Sequence, residues 1–231
     1  MTTIFLRPFA VALLAATLVT APVSARACAV SLVFALDISA SVDADEYRLQ
    51  RDGLAAALLD PGVRQAIAAQ EGGVAFLAFE WSGRYQQDIM AGWSRIRSEA
   101  ELEAFAGAIR AHSRRYSEFP TAIGYALGHA ARLMQEAPPC ARRVIDISGD
   151  GIGNEGFPPA AAYREFPFAG ITVNGLVVAG ADQEVVRYYQ REIPHGEDAF
   201  VEVAAGFEEF GEAMRRKLLR ELLGGQFVSA E

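Results

Sequence analysis

Oxygen-bearing side chains recur at every second position where a buried strand is expected to end. Residues 29–41 begin with an almost unbroken apolar run and then present Asp37, Ser39 and Ser41. A short apolar run without polar alternation is typical of a strand that is buried on both faces in a parallel sheet. Ligands of open α/β sheets bind beyond the carboxyl ends of such strands. One carboxylate and two hydroxyls at this edge would form half of a binding site for a hard cation.

Two further oxygen donors lie far downstream. Thr121 follows a polar loop and precedes a helical pattern, and Asp150 follows the predicted strand 142–148. Hydroxyl ligands are neutral, so they hold a cation without cancelling its charge, while carboxylates secure it and orient the other ligands. The sequence therefore predicts a Mg²⁺ site, in which Ca²⁺ or Mn²⁺ can substitute. The predicted ligands are Asp37, Ser39, Ser41, Thr121 and Asp150.

An alternative interpretation gives the same hydroxyls a local role. Ser and Thr are common N-caps, so Ser39 and Ser41 could cap the helix that follows them, and Thr121 could cap its own helix. Each hydroxyl taken alone fits this alternative. All of the predicted ligands together favour the metal site.

Strand and helix patterns alternate along the chain. The predicted strands are the run ending at Asp37 and residues 74–81, 85–93, 142–148, 171–179 and 199–203. The predicted helices are a segment ending at residue 59, residues 63–69 and 98–113, a segment from residue 123 to before Pro138, and residues 158–168, 183–192 and 207–223. This alternation predicts a doubly wound α/β fold with helices on both faces of a mainly parallel six-stranded sheet. The strand 85–93 is expected to be an antiparallel edge strand.

Length, composition and charge limit the classes of function. The chain has 231 residues, 52% of them apolar, which suits one domain with a substantial core. The formal net charge is −8, and Lys217 is the sole lysine. Nucleic-acid binding is not expected, because it needs clustered basic residues. An acidic chain does suit cation binding.

The N-terminal segment, residues 1–27, has the organisation of a secretory signal. Arg7 precedes a short apolar stretch, residues 11–19, and residues 25–27 form an Ala-x-Ala cleavage site. Removal of this segment would change the formal net charge from −8 to −10. The alternatives are an N-terminal membrane anchor, although the run is shorter than the roughly 20 residues of a span, and a lipid anchor on Cys28.

We therefore expect an exported protein, periplasmic or secreted. Residues 28–225 would form one domain, and residues 226–231 a C-terminal tail. No later stretch is long and apolar enough to predict a membrane span.

The chain has two cysteines, Cys28 and Cys140. They precede Asp37 and Asp150 by similar numbers of residues, so they lie side by side if the two strands are parallel neighbours. A disulfide is then geometrically reasonable and fits an exported protein. Two free buried thiols are the alternative.

The motifs together resemble a von Willebrand factor A (VWA) domain with a metal-ion-dependent adhesion site (MIDAS). The resemblance covers residues 28–223. It implies that Ser39, Ser41 and Thr121 bind the metal directly, and that Asp37 and Asp150 bind it directly or through one water. It also implies a metal position open to a carboxylate of a protein partner. One departure is Gly149, where the family more often has threonine.

A narrower resemblance is to an uncharacterised subfamily of secreted bacterial VWA-like proteins, which brings no known substrate. Its recurring motifs are similar to residues 80–83, 121–124, 142–151 and 171–176.

Three hypotheses of function follow. The first is an exported, non-enzymatic domain whose metal captures an acidic side chain of a partner protein, with the oligomeric state undetermined. The second is a hydrolase that uses a metal-bound water, for which Asp43 and Glu80 are the nearest candidate bases. The third is a metal-free scaffold.

Other motifs in the sequence indicate function less strongly. The glycines at positions 151, 153 and 156 match a dinucleotide fingerprint, but prolines follow where a helix should begin. The histidines, His112, His129 and His195, have no metal-like spacing, and His129 is expected to be a half-buried structural residue. Trp81 and Trp93 are expected to fill the core or the sheet edge.

Overall fold

The computed structural model describes residues 28–180 and 183–224. The predicted signal segment, residues 1–27, and the predicted tail, residues 226–231, lie outside the described residues. Within the described ranges, no helix combines the length and the apolar character that crossing a bilayer requires.

A six-stranded sheet forms the centre of the protein. Its strands are β1 (Cys28–Asp37), β2 (Val74–Trp81), β3 (Gln87–Ile96), β4 (Cys140–Gly149), β5 (Thr172–Val178) and β6 (Val201–Ala204). Their spatial order is β3-β2-β1-β4-β5-β6, and only the β2–β3 pair is antiparallel. The predicted topology, including the antiparallel edge strand, is confirmed.

Seven helices cover the sheet within the described residues. They are α1 (Ala44–Leu58), α2 (Pro61–Ala68), α3 (Glu99–Ala111), α4 (Ile123–Gln135), α5 (Pro159–Glu165), α6 (Gln183–Glu192) and α7 (Phe210–Leu222). A short 3₁₀ turn, Phe207–Glu209, leads into α7.

The core has two layers because successive side chains of a strand point to opposite faces. In β1, Leu32 and Phe34 pack with residues of α1, α2, α3 and α7, whereas Val33 and Ala35 pack with residues of α4, α5 and α6. Both faces of β1 are therefore covered, which explains the continuous apolar run in the sequence. The predicted helices on both faces are confirmed.

Some element boundaries differ from the prediction. The edge strand begins at Gln87 instead of residue 85, because residues 82–86 form a loop in which the Gln87 side chain donates to the carbonyl of Gly83. Helix α5 ends at Glu165 instead of residue 168. Phe166, which precedes Pro167, is extended, as a residue before proline prefers to be.

A disulfide joins Cys28 and Cys140 at the amino-terminal ends of β1 and β4. The two residues are direct partners in the parallel register, and their Cα atoms are 4.4 Å apart. The predicted pairing is thus present, and the free-thiol alternative is wrong. The bridge lies at the opposite edge of the sheet from Asp37.

Candidate metal centre

The site begins where β1 ends, at the centre of the sheet. Asp37 is fully buried, and its Oδ1 accepts a hydrogen bond from the backbone N–H of Ser39 at 2.7 Å. The hydroxyls of Ser39 and Ser41 are 3.2 Å apart. Arg114 supports this turn, since its guanidinium donates to the backbone carbonyls of Ile38 and Ser39. The Asp-x-Ser-x-Ser segment is therefore a compact turn with its oxygens gathered together.

Asp150 reaches the same turn from the neighbouring strand. The Ser41 hydroxyl donates to Asp150 Oδ1 at 2.8 Å. β1 and β4 are adjacent and parallel, and the chain leaves β1 for β2 on one side but reaches β4 on the other. This is the point in the sheet where the strand order reverses, and open α/β sheets bind ligands there.

Thr121 lies against the segment that follows β4. Its backbone N–H donates to Asn154 Oδ1 at 3.0 Å, and the N–H of Asn154 donates to the Thr121 carbonyl at 3.0 Å. A Cβ at Gly151 would be 3.4 Å from Thr121 Oγ1. The Thr121 hydroxyl is thus beside the residue that follows Asp150. The structure brings the predicted ligands to one edge of the sheet.

The capping alternative is wrong for the three hydroxyls. Helix α1 is capped by Asp43, whose side chain accepts from the N–H groups of Asp45 and Glu46. Helix α4 has Ala122 at its N-cap and no side-chain capping bond. Ser39, Ser41 and Thr121 therefore have no capping role, and the hydroxyls of Ser39 and Ser41 contact each other instead.

Asp37 shows that this edge suits a cation. Burial in the first place, and the charge of Asp150 in the second, raise the pKa of Asp37 to about 7. Its Oδ2 is buried and has no hydrogen-bond partner among the described residues. A buried charged oxygen without a partner is unfavourable. A divalent cation would neutralise both carboxylates, and the hard oxygen donors match Mg²⁺, Ca²⁺ or Mn²⁺.

Steric contacts explain why position 149 is a glycine. A Cβ at this position would lie 2.4 Å from the Tyr189 hydroxyl and 2.7 Å from Asp37 Oδ2. Both of these groups are fully buried, so neither can move aside easily. Gly149 stands where VWA domains more often have threonine. In this protein it lies next to a tyrosine hydroxyl that α6 supplies.

The two candidate bases of the hydrolase hypothesis are already engaged. Asp43 caps α1. Glu80 is fully buried, and its carboxylate accepts from the Tyr47 hydroxyl at 3.1 Å and from the backbone N–H of Arg115 at 2.8 Å. Both carboxylates therefore already have structural partners within the protein.

The structure confirms the expectations for Trp81 and His129 but places His112 in an unexpected cluster. Trp81 is fully buried in the core, as expected, and His129 is half-buried against the Phe79 ring. His112 has no metal-like spacing in the sequence, yet its Nε2 lies 3.3 Å from Glu80 and 3.7 Å from Asp88. One signal for this cluster was present in the sequence: Glu80 is a charged residue within an otherwise apolar strand.

The sheet order and the helices on both faces are those of a VWA-like α/β fold. This chain belongs to the family described as "Protein of unknown function (DUF1194)", whose model matches residues 27–226. Comparison with curated protein sequences gives no match.

Solved structures resemble the chain at low sequence identity. Proximal thread matrix protein 1 from the mussel byssus, in a structure described as having a zinc-occupied MIDAS motif, is 16% identical over 85% of this chain and 48% of its own, with a TM-score of 0.61. The vWF domain of the type V pili tip protein Mfa5 from Porphyromonas gingivalis is 11% identical over 89% and 99% of the two chains, with a TM-score of 0.59.

The PilB minor pilin from Streptococcus sanguinis is 13% identical over 92% of this chain and 65% of its own, with a TM-score of 0.61. The chain spans about half the length of the mussel proteins that it matches. At these identities the likeness shows the fold.

Proposed function

We propose that this protein is an exported binding domain that recognises an acidic side chain of a partner protein in a manner that depends on a divalent cation. Ser39, Ser41 and Thr121 would hold the cation through their hydroxyls. Asp37 and Asp150 would hold it directly or through one water. When bound, the cation supplies a positively charged position that a carboxylate of the partner can occupy.

The observation that carries this proposal is the unpartnered Oδ2 of Asp37. This oxygen is buried in the group of side chains that also holds Ser39, Ser41 and Asp150. A cation there would balance the charge of the buried Asp37 carboxylate, which lies beside Asp150.

The neutral and the charged ligands of the proposed site have different roles. The hydroxyls are neutral and leave the cation electrophilic, while Asp37 and Asp150 provide the charge that retains it. Gln50 and Arg114 hold the turn in place: Gln50 Nε2 donates to the Asp37 carbonyl at 2.8 Å, and Arg114 donates to the carbonyl of Ser39. The site is thus positioned by groups that do not themselves need the cation.

We propose Mg²⁺ as the cation, with Ca²⁺ or Mn²⁺ able to replace it, because the ligands are all hard oxygens. The zinc-occupied MIDAS motif of the mussel protein supports a divalent cation at this position.

We also propose that residues 1–27 form a cleaved secretory signal and that residues 28–225 are the functional domain. The disulfide between Cys28 and Cys140 supports export to an oxidising compartment, either the periplasm or the medium. The pilus and matrix proteins among the structural relatives support binding as the activity instead of catalysis. The engaged state of Asp43 and Glu80 removes the specific support for hydrolysis.

The proposal is tested with metal binding and partner capture on the purified domain. Titration with Mn²⁺ and competition with Mg²⁺ should show binding that Ser39→Ala and Asp37→Ala weaken by roughly 10- to 100-fold or more. Ser31→Ala is the matched control: this buried serine of β1 bonds to the Pro138 carbonyl at the opposite edge of the sheet, and its loss should leave metal affinity unchanged.

Capture from the exported fraction should then recover a partner with Mg²⁺ but not with excess chelator. A partner retained equally well in chelator, or by folded Ser39→Ala protein, would refute the proposed mode of binding.

A further inference from the structure

A second group of side chains of metal-ligating types lies at the same edge of the sheet, on its other face. Glu80 near the end of β2 and Asp88 near the start of β3 are direct partners in the antiparallel register. His112 follows the last residue of α3 and reaches the same place. One ligand atom from each of these residues lies within 4.8 Å of the other two. This group, Glu80–Asp88–His112, shares no residue with the site between β1 and β4.

The separations within the group suit a tetrahedral metal. Two ligands bound at about 2.0–2.1 Å in a tetrahedral arrangement lie about 3.4 Å apart. His112 Nε2 is 3.3 Å from Glu80 Oε2 and 3.7 Å from Asp88 Oδ2. Both separations that involve His112 are thus near the tetrahedral value, and the three ligands leave a fourth position.

The surroundings of the group support its use. His112 Nε2 is buried and has no hydrogen-bond partner among the described residues, although it faces both carboxylates. Glu80 is oriented by the Tyr47 hydroxyl and by the N–H of Arg115, which are the kind of outer contacts that fix metal ligands. The Asp88 side chain is 29% exposed, so an ion has a path from solvent.

We propose that Glu80, Asp88 and His112 form a second divalent-metal site, with Zn²⁺ as the ion that it prefers. One imidazole and two carboxylates favour Zn²⁺, whereas the all-oxygen site between β1 and β4 favours Mg²⁺. The fourth position is open to water or to a ligand.

The second site is linked to the first through the segment between His112 and Thr121. Arg114 in this segment donates to the carbonyl of Ser39, and Phe119 accepts from the N–H of Ala40 at 2.9 Å. A metal at the second site fixes the beginning of this segment, whose end carries Thr121.

The alternative for the same geometry is a protonated His112 that forms ion pairs with both carboxylates and binds no metal. Zinc stoichiometry separates the two. In the Ser39→Ala background, where metal binding at the first site is weakened, we expect the dialysed protein to retain about one equivalent of zinc per chain. Adding His112→Gln or Asp88→Asn should remove it. His129→Gln is the matched control, because His129 contacts Phe79 and no carboxylate of the group.

Cobalt gives an independent readout of the same site. Co²⁺ bound by four ligands including an imidazole absorbs visible light far more strongly than Co²⁺ in an octahedral all-oxygen site. The absorption should persist in Ser39→Ala and disappear in His112→Gln, whose folding is checked by thermal unfolding.

Zinc or the cobalt absorption retained by both His112→Gln and Asp88→Asn would overturn the proposal, as would the absence of zinc from folded Ser39→Ala protein. These outcomes do not depend on the proposed binding function, since metal binding at the first site is weakened throughout.

Discussion

At the scale of single residues, the candidate metal centre depends on charge that is buried and unbalanced. Asp37 is fully buried beside Asp150, and one of its oxygens has no partner in the part of the chain that the structure describes. The identity of position 149 belongs to the same problem, because the glycine leaves room for Asp37 and for the Tyr189 hydroxyl. Two predictions follow from these contacts.

The first prediction concerns pH. Burial and Asp150 raise the pKa of Asp37 from 3.8 to about 7 in the metal-free protein. The folded protein then keeps a proton that the unfolded chain loses, so this group's contribution to stability falls as pH rises from about 4 to about 7. Mg²⁺ needs the ionised carboxylate. The increase in melting temperature caused by saturating Mg²⁺ should therefore be larger at pH 8 than at pH 5.5.

The comparison with and without Mg²⁺ at each pH isolates Asp37. Burial also raises the pKa of Asp146, but that group pairs with Lys217 and contributes equally in both conditions. Equal stabilisation by Mg²⁺ at the two pH values would show that Asp37 does not control the site.

The second prediction concerns Gly149. A methyl group there would meet the Tyr189 hydroxyl and Asp37 at distances too short for either to remain in place. Gly149→Ala should lower the free energy of unfolding by about 1–3 kcal/mol and weaken Mn²⁺ binding. Denaturant unfolding and calorimetric titration measure the two effects. Gly92→Ala is the control, because no atom of residues 28–180 or 183–224 lies within 4 Å of a Cβ at Gly92. A similar loss in that variant would contradict the steric account.

At the scale of the elements, strand ends place the ligands and helix caps are supplied by other residues. The Asp-x-Ser-x-Ser turn lies between β1 and α1, yet the cap of α1 is Asp43. This separation frees Ser39 and Ser41 for a cation. It also assigns Asp43, a candidate base of the hydrolase hypothesis, to a structural role that a substitution can measure.

The third prediction tests that role. Asp43→Ala removes the capping box of α1 and should lower the free energy of unfolding by about 1 kcal/mol, with no change in metal affinity. Ser98→Ala is the matched control, because Ser98 forms the capping box of α3 and should give a similar loss. A large fall in metal affinity in Asp43→Ala alone would instead place Asp43 in the metal centre.

At the scale of the whole molecule, the sheet separates a stabilised edge from a binding edge. The disulfide Cys28–Cys140 joins β1 to β4 at their amino-terminal ends, and the oxygen ligands lie at the carboxyl ends of the same two strands. The central pair of strands is therefore held covalently at one end, while its other end carries the candidate metal centre.

The fourth prediction removes this covalent link. The bridge closes a loop with a sequence separation of 112 residues, so the double variant Cys28→Ser with Cys140→Ser should lose about 2–4 kcal/mol of unfolding free energy. Mn²⁺ affinity should stay near the wild-type value under native conditions, because the bridge is at the far edge. Denaturant unfolding and Mn²⁺ titration check both parts. Loss of metal binding in the folded variant would show that the two edges are coupled.

Local patterns in the sequence were enough to predict the architecture and to propose which side chains form the ligand set. The apolar run before Asp37 and the alternation of strands and helices depend on the burial of each segment, and burial is written in the residue types of that segment. The carboxyl ends of parallel strands share one edge, so Asp37 and Asp150 could be placed near each other without coordinates. The position of the disulfide followed from the same register.

Other features depend on contacts between elements that are far apart in the chain, and only the tertiary structure decided them. Lys217 is the sole lysine of the chain, and it is fully buried and lies 2.5 Å from both Asp146 and Glu221. His112 contacts Glu80 only because the end of α3 lies beside β2. Side-chain contacts of this kind are set by register and packing between elements, which the local pattern of a single sequence does not contain.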